Sequence, residues 1–258
     1  MRPPVALTIA GSDPSGGAGI QADLKTFHQF RVYGEAVITL ITVQNTTTLS
    51  RVYCAPPDLV AEQIRAVLSD IPPGAVKLGA LGNAEIMTAV AAALSETTAP
   101  IIVDPVMIGK HGGALMQPDA MDAFKRLLLP RAFLITPNAP EAAALCGRPV
   151  ENGEDARIAA QWLIDMGARA ALIKGGHLEG DMAIDVLLTD RFTTFSEPRI
   201  ASRHTHGSGC TYAAAITAGV ARGSDLENAV ASAKRFVTAA IAGAPGLGRG
   251  NGPLDHFA

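Results

Sequence analysis

A small-residue turn leads directly into a predicted helix near the end of the chain. The turn is Gly207-Ser208-Gly209, and Cys210 lies in the first turn of the helix. The first N–H groups of a helix lack intrahelical partners, and the helix dipole adds partial positive charge there. Such a turn suits the developing negative charge of a phosphoryl group, and a thiol there would have its thiolate favoured. The segment therefore offers an anion hole and a nucleophile or base, although a free cysteine is often only a small buried hydrophobe.

Further polar groups stand where apolar strands are predicted to end. Gly11 opens the loop after the first strand, and Gln44 ends the second. Asp104, Asn138 and Lys174 follow or end three later strands. In open α/β sheets, ligands bind outside the carboxyl ends of the strands. We therefore expect these groups to converge on one edge of a sheet.

Two acids of this region could hold a metal ion. Asp104 ends a buried strand and needs a cation or donors there. Glu141 begins a later helix, where it could instead only complement the helix dipole. Together with Asn138, the two acids could hold Mg²⁺ largely through water, with phosphates as further ligands. Lys174 could pair with phosphate oxygens.

Other groups suit the recognition of a small polar molecule. The side-chain amide of Gln44 can donate to and accept from the edge of a heterocycle. The glycine-rich loop from Gly11 to Gly19 matches neither the dinucleotide motif nor the P-loop, and it could be either a ligand loop or a flexible turn. Asp23 lies on the helix that follows, where a solvated acid is the usual interpretation.

Composition excludes several classes of protein. The 258 residues are 48% hydrophobic and 17% charged, which suffices for a core. A net charge of −3 without a basic block argues against nucleic-acid binding. Cys54, Cys146 and Cys210 form no C-x-x-C pair, so a disulfide framework or thiolate zinc site is not expected. No signal peptide or membrane-length apolar run is visible, which predicts a cytoplasmic protein.

The order of the elements predicts one α/β domain over residues 1–258 with a mostly parallel sheet. Short apolar runs alternate with helical patterns, as in parallel sheets covered on both faces. Two later strands around Asp190-Arg191 read as a hairpin, and two helices follow. The predicted strands before the hairpin are Val5–Gly11, Ala36–Asn45, Ala75–Leu78, Ile101–Asp104, Phe133–Thr136 and Ala170–Gly176, and one of the predicted helices is Pro118–Leu128.

Six motifs in sequence order identify a family resemblance. They are GSDPSGGAGIQADLKTF, YGEAVITLITVQNT, DPVM, LITPNAPEAAAL, IKGGH and THGSGC. Together they resemble the hydroxymethylpyrimidine/phosphomethylpyrimidine kinases of thiamin biosynthesis, in the ribokinase-like superfamily. The resemblance extends to GPLDHF near the C-terminus. It implies a ribokinase-like three-layer α/β/α fold with a late β-hairpin.

The resemblance also implies an activity, which is phosphorylation of 4-amino-5-hydroxymethyl-2-methylpyrimidine (HMP) with MgATP, and then of HMP phosphate to the diphosphate. It implies that Cys210 accepts the proton of the attacking hydroxyl, and that the hairpin and last helix hold adenine. Relatives are often homodimers. The implied roles are pyrimidine binding for Gln44, Asp23, Gly11 and Val106, the anion hole for Gly207, Ser208 and Gly209, ATP phosphate contacts for Lys174 and Thr205, and the Mg²⁺–phosphate region for Asp104, Asn138 and Glu141.

Departures from the family pattern keep alternatives open. Ser208 replaces a more usual threonine, and Arg203-His204 replace a frequent Lys-Asn pair. Ala80 stands where many members have methionine, so the substrate pocket could be roomier and a pyridoxal or pyridoxine kinase is the closest alternative. A dinucleotide-dependent oxidoreductase is disfavoured because no G-x-G-x-x-G follows a strand. A non-catalytic pyrimidine- or nucleotide-binding domain is the remaining alternative.

Overall fold

A nine-stranded sheet runs through the residues that the computed structural model describes, which are 2–109, 112–117, 119–178 and 180–258. Its order is β3-β2-β1-β4-β5-β6-β7-β8-β9. The strands are β1 (Val5–Ser12), β2 (Tyr33–Gln44), β3 (Leu49–Cys54), β4 (Ala75–Leu78), β5 (Ile101–Val103), β6 (Leu134–Ile135), β7 (Ala171–Ile173), β8 (Met182–Leu188) and β9 (Phe192–Pro198). Pairing is parallel from β2 to β7 and antiparallel at β3, β8 and β9.

Helices cover both faces of the sheet. They are α1 (Gly19–Gln29), α2 (Pro57–Asp70), α3 (Ala84–Ala93), α4 (Ala120–Ala123), α5 (Ala139–Cys146), α6 (Gly153–Asp165), α7 (Ser208–Ala221) and α8 (Leu226–Ala242). One layer contains α1, α7 and α8, and the other contains α2, α3, α5 and α6. None of the described helices combines the length and apolar character needed to cross a membrane.

The alternation of side chains along each strand explains the two layers. In β5, Ile101 and Val103 pack in the core beneath α3, whereas Ile102 packs in the core beneath α7 and α8. Successive residues of a strand point to opposite faces, so a strand buried on both sides is mainly apolar. The predicted three-layer α/β fold with a mostly parallel sheet and a late hairpin is confirmed.

Two predictions of local structure were incomplete. The edge strand β3 was not predicted, because Leu49–Cys54 contains polar residues and lacks a continuous apolar run. The helix predicted over Pro118–Leu128 is broken in the structure. Only Ala120–Ala123 is α-helical, and a π-helical turn continues to Leu128. Pro118 lies outside the described residues.

The sheet order creates a crevice at β1. From β1 the chain moves to β2 on one side and later to β4 on the other. Loops leaving two neighbouring strands in opposite directions open a crevice at their carboxyl ends, which is where ligands bind in such sheets.

Candidate active site

A cavity of about 650 Å³ lies at the carboxyl edge of the sheet. Every predicted site residue lines it except Asp23. The lining residues among them are Gly11, Gln44, Asp104, Val106, Asn138, Glu141, Lys174, Thr205, Gly207, Ser208, Gly209 and Cys210. The strand ends therefore bring together groups that are far apart in sequence.

The turn before α7 packs against the glycine-rich loop from Gly11 to Gly19. Gly207 is the N-cap of α7 with a φ of +78°, a region that favours glycine. A Cβ on Gly207 would collide with the carbonyl oxygen of Gly17. A Cβ on Gly209 would lie 3.2 Å from Lys174 Nζ and 3.8 Å from Asp104 Oδ2. The N-terminus of α7 therefore lies beside a lysine and an aspartate from two strand ends.

Asp13 organises the glycine-rich loop from within. One carboxylate oxygen accepts from the N–H and hydroxyl of Ser15, and the other accepts from the N–H groups of Gly17 and Ala18. His206 Nε2 lies 2.8 Å from Asp13 Oδ2, next to the Gly207 turn. Burial opposes ionisation of Asp13, but the hydrogen bonds from His206 and Ser15 outweigh it and lower its pKa. Sequence reasoning missed this pair, although an aspartate within a glycine-rich turn was its signal.

The thiol of Cys210 is less acidic than its place at a helix N-terminus predicts. Its side chain lines the cavity with partial exposure, and the backbone N–H of Gly19 donates toward it. Burial raises the pKa of the Cys210 thiol to about 11, although the Lys77 ammonium opposes this. The expectation that the helix N-terminus favours the thiolate was therefore wrong, because desolvation dominates.

Asp23 lies behind the cavity wall instead of lining it. Its carboxylate is fully buried and accepts from Thr8 Oγ1 at 2.6 Å and from Lys77 Nζ at 2.9 Å. Lys77 comes from β4 and does line the cavity. Burial alone would lower the pKa of Lys77, but the nearby acids, Asp23 above all, raise it above its ordinary value. Sequence reasoning missed Lys77, although a lysine within the apolar strand AVKL must find a partner.

A second buried ion pair joins β5 to β7. Lys174 Nζ lies 2.8 Å from Asp104 Oδ1, and Thr136 Oγ1 donates to the same oxygen at 3.3 Å. Burial opposes the charge on Lys174, but the carboxylates of Asp104 and Glu141 raise its pKa. The cation is therefore held at the N-terminus of α7.

Glu141 and Asn138 form a reciprocal cap at the start of α5. Asn138 Oδ1 accepts from the Glu141 N–H at 2.9 Å, and Glu141 Oε2 accepts from the Asn138 N–H at 2.8 Å. Burial raises the pKa of Glu141 to about 7, and the charge of Asp104 acts in the same direction, although Lys174 opposes both. Among the described residues, no group of three histidine, cysteine or acidic side chains could hold a metal ion.

A third ion pair lies at the far end of the cavity. Asp185 on β8 accepts from Lys234 Nζ at 2.8 Å and from the Gly175 N–H at 2.8 Å. Burial and the Asp185 carboxylate raise the pKa of the Tyr212 hydroxyl well above its ordinary value. Between the hairpin and α8, this end is lined by Ala183, Pro198, Ile200, Val237, Thr238 and Ile241. We call this mostly apolar part of the lining the slot, and such a lining suits a flat ring.

The lining of the cavity therefore differs from one end to the other. Gln44 marks a polar pocket at one end, and the slot beside α8 marks the other. Between them stand the helix N-terminus and Lys174, which together suit an anionic group in transfer.

Comparison with known proteins agrees with this arrangement. The family model described as phosphomethylpyrimidine kinase matches residues 13–255. A hydroxymethylpyrimidine/phosphomethylpyrimidine kinase of Bacillus subtilis is 45% identical over 256 residues, which cover 98% of this chain and 94% of that protein. The thiamine biosynthesis bifunctional protein ThiED of Geobacter sulfurreducens is 48% identical over 97% of this chain, which spans about half (52%) of that protein's length.

A solved structure is also similar. The pyridoxal kinase of Staphylococcus aureus in complex with AMP-PCP has a TM-score of 0.92 and 38% identity. The alignment covers 100% of this chain and 95% of that chain. With a family model matched from residue 13 to 255, and a relative 45% identical over nearly its whole length, the chain belongs to the phosphomethylpyrimidine kinase family.

Proposed function

We propose that this chain phosphorylates HMP to HMP phosphate and then to HMP diphosphate with MgATP, in thiamin biosynthesis. One observation carries the proposal. The N-terminus of α7 lies beside the Lys174–Asp104 pair, between the Gln44 pocket and the slot beside α8. The family model and the Bacillus relative favour this pyrimidine over other acceptors.

The pyrimidine would occupy the pocket at Gln44, with Gly11 and Val106 beside it. The amide of Gln44 offers both donors and an acceptor to the ring edge. The buried position of Asp23 favours an indirect role for this acid, which would hold Lys77 at the pocket wall. Direct contact between Asp23 and the substrate stays a prediction.

Transfer would take place at the N-terminus of α7. The backbone of Gly207, Ser208 and Gly209 would hold the moving phosphoryl group, with Lys174 and Thr205 on the ATP phosphates. Cys210 would accept the proton of the attacking hydroxyl. Only the thiolate of Cys210 can take up this proton. Phosphoryl transfer depends mostly on positioning and charge stabilisation, so a small thiolate fraction can still serve as the base.

Asp104 and Glu141 fit the magnesium that accompanies ATP. Both carboxylates line the cavity, and Mg²⁺ is commonly held by one or two carboxylates together with water and phosphates. When bound, the ion would neutralise charge on the phosphates. Asn138 fits less well as a ligand, because its side-chain oxygen already caps α5.

Product analysis tests the activity. Wild-type protein would be incubated with HMP and MgATP, and the products separated by anion-exchange chromatography. We expect the monophosphate to appear first and the diphosphate to follow. Absence of both products, with protein that binds ATP, would exclude the proposal.

A pyridoxal kinase is the second candidate. The likeness to the Staphylococcus aureus pyridoxal kinase favours it, as does the small side chain of Ala80 on the cavity wall. Rates with HMP, HMP phosphate and pyridoxal, measured in parallel, separate the two. Turnover of pyridoxal alone would make this the correct assignment.

The domain organisation, oligomeric state and location of the enzyme are also proposals. We propose one domain over residues 1–258, as the element order favours, and a homodimer in the cytoplasm, where the family resemblance supports the dimer and the sequence pattern the location. Sedimentation velocity of the purified protein tests the dimer, and a single species with the mass of one 26.6 kDa chain would exclude it.

A further inference from the structure

The loop that follows β7 carries Lys174 and is held by hydrogen bonds from one arginine of the β8–β9 hairpin. Arg199 follows directly after β9 and lines the same cavity. Its Nη1 donates to the carbonyl of Gly176 at 2.7 Å, and its Nε donates to the carbonyl of Gly180 at 2.8 Å. Its Nη2 donates to the carbonyl of Leu178. One guanidinium thus gathers three carbonyl groups of one loop through three differently directed nitrogens of its planar fork.

The start of the same loop is also held by the hairpin. The buried carboxylate of Asp185, on β8, accepts from the Gly175 N–H at 2.8 Å and is paired with Lys234. A Cβ on Gly175 would collide with the carbonyl oxygen of Ile184, so the loop lies directly against β8. The hairpin therefore fixes the loop at its first residue and again along its length.

These contacts between the hairpin and the loop affect the nucleotide site more than the site of the phosphoryl acceptor. Lys174, Gly176 and Arg199 all line the cavity, and Lys174 Nζ lies where a Cβ on Gly209 would be 3.2 Å away. A loop free to move would leave Lys174 with fewer contacts to hold it beside the N-terminus of α7.

We infer that Arg199 is a positioning residue for nucleotide binding, acting through the loop that carries Lys174. The inference rests on the proposed function in its assignment of the nucleotide to this end of the cavity. Arg199 does not need to touch ATP, because its donors are directed to the loop. The hairpin would then be part of the nucleotide site, in addition to forming the wall of the slot.

Direct binding tests the inference without turnover. The dissociation constants of AMP-PCP with Mg²⁺ and of HMP would be measured separately by calorimetry for wild type, Arg199→Ala, Arg199→Lys and Arg191→Ala. Arg191 lies on the same hairpin, is exposed and pairs with Glu227, so it is the matched control. Hydrogen exchange of the amides at Gly175, Gly176 and Leu178 would report the order of the loop.

We expect Arg199→Ala to weaken AMP-PCP binding about tenfold, as for a lost charged hydrogen bond, and HMP binding by less than about twofold. The loop amides should exchange faster. Arg199→Lys should recover part of the affinity at most, because an ammonium cannot replace the fork. Arg191→Ala should match wild type.

Three results would overturn the inference. They are wild-type AMP-PCP affinity in Arg199→Ala, equal weakening of AMP-PCP and HMP, or full recovery in Arg199→Lys. A wild-type protein that does not bind AMP-PCP would overturn both the inference and the proposed function. A wild-type protein that binds AMP-PCP but converts no HMP would overturn the proposed function alone, because the binding comparison would still decide the role of Arg199.

Discussion

At the scale of single residues, buried lysines place positive charges in and around the cavity. Each of them is held by one aspartate from another element. The pairs are Lys77–Asp23, Lys174–Asp104 and Lys234–Asp185. A buried pair repays its desolvation only when its geometry is good, and loss of one partner leaves an uncompensated charge. These pairs therefore link the stability of the fold to the charge of the cavity.

The Lys77–Asp23 pair should show this link in a double-mutant cycle. Lys77→Met should lower the free energy of unfolding by about 3–5 kcal/mol, because the buried carboxylate loses its cation. Asp23→Leu should have a similar cost. Urea denaturation of the double variant should show a smaller loss than the sum of the single changes. Additive losses would mean that the two groups do not stabilise each other.

The base role of Cys210 has its own residue-scale test. Cys210→Ala should lower kcat by roughly 10²–10⁴, the usual contribution of a general base, and leave HMP binding nearly unchanged. Because the pKa of the thiol is about 11, the thiolate fraction and the wild-type rate should rise from pH 7 to 9. Initial rates at saturating substrate measure both effects.

Cys146 supplies the control for that experiment. Burial also raises its pKa to about 11, but it lies on α5 and does not line the cavity. Cys146→Ala should keep the wild-type rate and its rise with pH. A Cys210→Ala protein with wild-type turnover would show that the proton goes elsewhere.

At the scale of elements, the site is shaped by the glycine-rich loop after β1 and the turn before α7, which pack backbone against backbone. Gly207 sits against the backbone of the first loop with a positive φ. Gly207→Ala should cost about 1–2 kcal/mol for the left-handed conformation and about 1–3 more for overpacking. The shift of the loop should also reduce kcat. Chemical denaturation and initial rates measure the two effects.

Gly223 allows the two costs to be separated. It has a φ of +85° just after α7, and a Cβ there would meet no atom within 4 Å. Gly223→Ala should therefore lose only the conformational part, about 1–2 kcal/mol, and keep its activity. Equal losses in the two variants would mean that the contact between the loops contributes nothing.

The elements differ in how well their sequence predicts them. The strand Ala75–Leu78 was predicted with correct bounds, and the other predicted strands differ from the structure by one to three residues at an end, because burial on both faces leaves mainly apolar runs. The edge strand β3 was not, since its pairing with β2 depends on the tertiary fold. The polar groups at the strand ends were predicted to meet, and they do. The partners Lys77, His206 and Arg199 were not predicted, because their contacts join residues far apart in sequence.

At the scale of the whole molecule, the carboxyl edge of the sheet brings charged side chains together, and the rest of the fold holds them there. The stability of this arrangement should depend on pH through a group remote from the cavity lining. Glu35 on β2 is half-buried, and its Oε2 has no hydrogen-bond partner among the described residues. Burial, together with the charge of Asp70, raises the pKa of Glu35 from 4.5 to about 7.

The sign of the effect follows from proton binding. Between pH 4.5 and about 7, the folded protein holds a proton at Glu35 that the unfolded chain releases. The free energy of unfolding therefore falls as pH rises across this window, and the loss persists above it. Glu35→Gln is neutral at every pH and should escape this loss. Its Tm should exceed that of wild type at pH 8 and be similar to wild type at pH 4.

The comparison of variant with wild type isolates Glu35 from other groups. Glu141 also has a pKa raised to about 7, but it titrates in both proteins, so its contribution cancels in the difference. Glu62→Gln, at an exposed position on α2, should give the same difference in Tm from wild type at both pH values. If Glu35→Gln changed Tm equally at pH 4 and pH 8, its effect would come from packing, and the stability of the fold would not depend on this carboxyl.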